Sequence, residues 1–124
     1  MSVAILHQGE YLIASIQSDL SDREVMALRD DLARRVGDLR ARGLIVDVSA
    51  LEVIDSFVAR ALRSIADTAL MRGAETVIVG IQPDVAIAMV HFRLNLVQLR
   101  AALDLDEALG LLDRLVQKGS PDAR

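Results

Sequence analysis

Apolar and polar positions follow two rhythms along this chain, and the switches between them mark strands and helices. Val3–His7 and Tyr11–Gln17 are short runs rich in Ile, Val and Leu, separated by Gln8-Gly9-Glu10. They predict a β-hairpin, with Gly9 supplying the positive φ of the turn. After Ser21 the period lengthens: Val25, Leu28, Leu32, Val36 and Leu39 fall on one helical stripe. Ser21 and Glu24, three residues apart, predict a capping box at the start of that helix. Asp30/Arg34, Asp31/Arg35 and Asp38/Arg42 stand four apart with the acid first, the order that favours pairing. Gly43 predicts the stop.

Leu44–Ser49 and Thr76–Ile81 are nearly continuous apolar runs, as strands buried on both faces are. Between them the spacing predicts a helix from about Ser56 to Arg72, closed at Gly73. Pro83 suits the first turn of a further helix, carried on by Asp84–Phe92. The pattern breaks at Leu94-Asn95-Leu96, and Leu99–Leu105 predicts a short last strand. Asp104, with Glu107 three residues on, predicts the cap of a final helix whose apolar face is Leu105, Ala108, Leu109, Leu112 and Leu115. The order ββαβαβαβα predicts an α/β fold: one domain over 1–118, with a mixed, mostly parallel sheet, an N-terminal β-hairpin and about four flanking helices. Residues 119–124 read as a disordered polar tail.

Composition narrows the chemistry. The apolar set makes up 52% of 124 residues and aromatics only 2%, so the core must be aliphatic. Cysteine is absent, which excludes disulfides, thiolate metal sites and cysteine nucleophiles. The net charge of −4, with basic residues spread over helices, gives no nucleic-acid footprint. No basic segment precedes an apolar run at the N-terminus, and no uncharged stretch of about 18 residues occurs. The expectation is a cytoplasmic protein that neither spans nor binds a membrane.

Enzyme signatures are missing. The sequence has no phosphate-cradling glycine loop, no dinucleotide fingerprint and no nucleophile elbow. His7 and His91 lie on different elements, without the spacing of metal ligands. Asp47, Glu52 and Asp55 are the one carboxylate group near strand ends that a magnesium reading would use, but nothing nearby would hold a phosphate substrate. No metal and no cofactor are expected.

The loops leaving the carboxyl ends of parallel strands are where function gathers in such sheets. One of them carries Ser49 at a strand end and the pair Asp55-Ser56 at a helix start, followed by Phe57, Val58 and Arg60. Capping accounts for one polar residue there, worth about 1 kcal/mol, yet two are adjacent. Ser56 is therefore either a cap or a displayed hydroxyl, and the local chemistry leaves both open. The helix behind it is apolar around much of its circumference, through Phe57, Val58, Ala61, Leu62, Ile65, Ala69 and Leu70. It is either packed deeply in its own domain or part of a partner surface. Gly80, Gln82 and Pro83 form the equivalent turn after the next strand and lie beside Ser56 if the two strands are neighbours.

Taken together, IVDVSALEVIDSFVARAL, VIVGIQP and ALDLDEAL resemble the STAS (anti-sigma-factor antagonist) family, over about Val3 to Leu115. The resemblance implies a STAS-like domain that is not an enzyme, with the family's modified serine falling on Ser56. Sporulation-type members carry small residues and glycine after that serine, whereas Phe57 and Val58 follow here. That departure favours the stressosome branch. It implies a scaffold or antagonist in stress signalling that sequesters a serine kinase of the switch type (RsbT-like) and releases it when Ser56 is phosphorylated. It further implies paralogous STAS co-antagonists (RsbR-like), a phosphatase (RsbX-like), a homo-oligomer such as a dimer, and a large mixed assembly. Asp47, Ser49, Asp55, Phe57, Arg60, Gly80, Gln82 and Pro83 would support the site. The Phe57–Leu70 helix and the N-terminal strand are the candidate self-association contacts. The alternatives are a STAS partner module of a membrane transporter or lipid-trafficking complex, and a small nucleotide-binding enzyme built on the Asp47/Asp55 edge.

Overall fold

A computed structural model describes residues 3–16, 20–94 and 99–119. Its nine elements follow the predicted order: β1 (Val3–Gln8), β2 (Tyr11–Ile16), α1 (Asp22–Leu39), β3 (Gly43–Asp47), α2 (Ser56–Met71), β4 (Glu75–Val79), α3 (Pro83–His91), β5 (Leu99–Ala102) and α4 (Leu105–Gly119). The five strands lie side by side in chain order. β1 and β2 pair antiparallel through a turn in which Gly9 has φ 61°, and β2 to β5 are parallel. The chain thus has an α/β fold with a mixed sheet and an N-terminal hairpin.

Each parallel crossover needs an amphipathic helix, and the helices divide between the two sheet faces. Val25, Leu28, Leu32 and Val36 of α1 pack with Leu62, Ile65, Ala66 and Ala69 of α2 and Val85 and Met89 of α3 over Leu12, Leu44, Val46 and Ile78. On the opposite face, Ala108 and Leu112 of α4 cover Tyr11, Ile13, Ile45, Val77, Val79 and Ala102. Leu44, Ile45 and Val46 are fully buried because consecutive residues of β3 feed opposite layers, so the run had to be apolar throughout. The Tyr11 hydroxyl donates to the Asp113 carboxylate and ties α4 to β2. Burial, reinforced by Asp113, pushes the Tyr11 phenol well above its ordinary value.

Several local expectations change. Leu39 and Leu105 are exposed instead of completing their stripes. Of the three predicted ion pairs only Asp31–Arg35 forms, at 3.2 Å; Arg34 turns to Asp31 at 2.7 Å, Asp30 meets Arg29, and Arg42 reaches Glu10. Gly43 does not stop α1. Arg40 takes the left-handed cap (φ 51°, ψ 42°), and Gly43 opens β3, where a Cβ would fall 2.8 Å from both Leu112 and Tyr11. β3 and β4 each end two residues earlier than their apolar runs, at Asp47 and Val79, because both chains turn where the loops meet. The helix α4 extends through Gly119, and the predicted tail beyond it lies outside the described residues.

Candidate functional site

The site is built where β3 and β4 end side by side. Both loops turn sharply there. The Asp47 carboxylate accepts the Ser49 backbone N–H at 2.9 Å, which bends the chain away from the sheet. Across the gap, Gln82 Nε2 donates to the Ser49 carbonyl oxygen at 2.6 Å. Gly80, at φ 74°, permits this closeness: a Cβ on it would sit 2.7 Å from Ser49 Cβ and 3.1 Å from Asp47 Oδ1. Pro83 stands at the first position of α3, where its missing N–H costs nothing. Asp47, Ser49, Gly80 and Gln82, separated in sequence, thus clamp the loop that leads to α2.

That loop delivers Asp55 and Ser56. Asp55 has extended backbone (φ −97°, ψ 178°) and its Oδ1 accepts the Val58 backbone N–H at 2.8 Å. Asp55 is the cap. Ser56 is the first residue inside the helix, exposed, and its hydroxyl has no part in closing the helix. Of the adjacent pair, Asp55 and not Ser56 is therefore the N-cap of α2.

Behind the junction, α2 is cleanly two-faced. Ala59, Ala61, Leu62, Ile65, Ala66 and Ala69 are buried, Phe57 and Val58 are half-buried, and Leu70 and Met71 are exposed. Ser56, Arg60 and Arg63 share the outward row, as the 3.6-residue period requires; Asp67, one turn on, is half-buried with Oδ1 out of solvent. A groove of about 210 Å³ runs beside Ser56, lined by Ala59, Arg60, Arg63, Phe92 and Leu94. Phe57 lies around the helix with Met26, Arg29 and Ser64 along a second groove, which Arg60 also lines. Asp55 borders an apolar cavity of about 200 Å³ between the N-terminal ends of α1 and α2, among Leu20, Val25, Val53 and Ile54.

The expected residues thus fall into two groups. The turn at Gly80–Pro83 engages Ser49, seven positions ahead of Ser56, and the wall beside Ser56 comes instead from the far end of α3. Arg63, Phe92 and Leu94 went unpredicted. Arg63 was legible as the i+7 neighbour of Ser56, whereas Phe92 and Leu94 reach the groove only through tertiary packing. Among the described residues, Asp47, Glu52 and Asp55 do not gather with others into a group able to hold a metal ion. Nor, among those residues, is any helix long and apolar enough to cross a membrane.

Comparison with known proteins places this geometry in context. The STAS domain family matches residues 2–108. Among solved structures, a serine-to-glutamate variant of RsbS from Moorella thermoacetica is 33% identical, with a TM-score of 0.83 over 94% of this chain and 99% of that one. A chain from the molecular architecture of the stressosome, described there as a signal integration and transduction hub, is 32% identical, with a TM-score of 0.75 over 91% and 98%. The anti-sigma factor antagonist SpoIIAA in its unphosphorylated form shares the fold at 13% identity, with a TM-score of 0.68 over 92% and 97%. No curated protein sequence matches the chain.

Proposed function

This chain belongs to the STAS domain family, and from that premise we propose that it is a non-catalytic stressosome scaffold that holds a switch-type serine kinase until Ser56 is phosphorylated. The observation that carries the proposal is the division of labour at α2. Asp55 satisfies the Val58 N–H, and Ser56, exposed on the first turn, is left for a kinase to reach. The likeness to RsbS and to a stressosome chain, each covered almost completely, supports the same reading. That RsbS form carries glutamate in place of a serine, a substitution that imitates the charge of a phosphoserine.

The chemistry belongs to the kinase. Ser56 Oγ attacks the γ-phosphorus of a nucleoside triphosphate and an O–P bond forms. The bond to the β-phosphate oxygen breaks, the diphosphate leaves, and the serine proton passes to a base of the kinase. The product gains about −1.5 to −2 charges at neutral pH. The first-turn amides and the helix dipole tolerate that charge without unfolding α2. Carrying the phosphoryl group into the partner interface is costly to desolvate, so the kinase leaves. Paralogous STAS proteins and a phosphatase would complete the cycle. Self-association would use the uncapped edge of β1, where Leu6 is 64% exposed.

Calorimetry with a purified stressosome kinase tests the reading. The unmodified chain and Ser56→Ala should bind equally, and the Ser56-phosphorylated chain at least tenfold more weakly. Equal binding of the phosphorylated chain would overturn it. The transporter-module alternative has fold likeness alone behind it: murine Slc26a9 is 16% identical, and this chain covers 18% of its length.

A further inference from the structure

Resting on the phosphoacceptor reading of Ser56, we propose that its phosphoryl group folds back along α2 onto Arg60 and Arg63, so that modification silences a positive pair instead of displaying a bare negative charge. The three side chains follow the i, i+4, i+7 spacing of one helical row, which brings both guanidiniums within a turn or two of the modified oxygen. They also line one groove, about 210 Å³ in volume, room for a phosphoryl group and accompanying water.

The groove is electrostatically prepared. No carboxylate is among its lining residues, and neither Arg60 nor Arg63 forms an ion pair among the described residues. The nearby acids are otherwise placed. Asp55 is turned to the Val58 N–H, and Asp67, one turn beyond Arg63, bonds to neither arginine. At the end of α3 and in the turn after it, the flanking charged or titratable groups are His91 and Arg93, neither of them acidic. Phe92 and Leu94, both half-buried, wall the groove and lower its local dielectric, which strengthens charge-assisted hydrogen bonds within it. A guanidinium presents a fork of donors matched to phosphate oxygens, so two of them balance the dianion.

The unmodified surface therefore offers two cations beside a neutral hydroxyl, and the modified surface offers a closed, near-neutral cluster. A partner that reads this face does so through acidic groups opposite Arg60 and Arg63.

The test needs no kinase. Phosphoserine is incorporated at position 56 during translation, and its second ionisation is followed by phosphorus NMR. In the intact protein it should fall about one pH unit below that of an arginine-free phosphoserine peptide, as for an anion beside arginine. Arg60→Gln/Arg63→Gln should return it to the peptide value, while Arg72→Gln should not. A peptide-like titration in the intact protein would overturn the proposal. So would a lowered value that survives the double substitution, since the helix terminus alone would then account for it. Failure of a kinase to modify Ser56 would sink the functional reading and leave this measurement untouched.

Discussion

Two helices of this protein have a serine at their start, one just before the first turn and one just inside it, and the two serines are placed differently. At α1, Ser21 is the cap: its Oγ accepts the Glu24 N–H at 3.2 Å, and the Glu24 carboxylate accepts the Ser21 N–H at 3.1 Å. At α2, Asp55 takes that duty and Ser56 stands one position further in. A shift of one residue separates a hydroxyl bound into a cap from one that stands beside a cap. A serine near a helix start thus carries no functional meaning until the residue before it is known.

The comparison breaks most sharply at the hydroxyls themselves. Ser56→Ala should abolish phosphate incorporation and leave the melting temperature nearly unchanged, whereas Ser21→Ala should leave incorporation intact. Radiolabelling alongside calorimetric melting checks both. Moving the hydroxyl sharpens the point. Asp55→Ser/Ser56→Ala places a serine in the capping position, where it should preserve stability to within about 0.5 kcal/mol and still take no label.

The clamp behind α2 is the next lever. Gly80→Ala forces a Cβ to within 2.7 Å of Ser49 at a positive φ and should cost roughly 1–3 kcal/mol in denaturant unfolding. The caps come below that: Asp55→Ala and Ser21→Ala should each cost about 1 kcal/mol.

The smallest effect is in pH. Bonding to Ser21, first through its backbone N–H, holds the Glu24 carboxyl below its ordinary value of 4.5. A lowered folded-state pKa means that the stabilisation is present above that ordinary value and is lost as pH falls through the folded one. Stability of the wild type should therefore fall more steeply below about pH 4.5 than that of Glu24→Gln, measured by unfolding at stepped pH.

Most of the architecture was legible because aliphatic periodicity answers directly to burial. The double-faced run at Leu44–Val46 announced a central strand, and Ser21/Glu24 and Asp104 announced their caps. The errors were local. Gly43 read as a helix stop because glycine commonly ends helices, but here its missing Cβ makes room for Leu112 and Tyr11. The predicted carboxylate–arginine pairs reshuffled because exposed ion pairs differ little in energy. At the site, Asp55-Ser56 was visible as a pair, while which of the two caps α2 emerged only with the backbone bond to Val58. The groove was only half visible. Helical spacing puts Arg63 in line with Ser56 and Arg60, but no local pattern carries Phe92 and Leu94 across from α3.

Tandem mass spectrometry of the chain after incubation with its kinase and a nucleoside triphosphate tests the central claim most directly. The account predicts one phosphoryl group, on the fragment that separates Ser56 from Ser49. Label confined to Ser49 or Ser21, or a Ser56→Ala protein labelled as fully as the wild type, would contradict it.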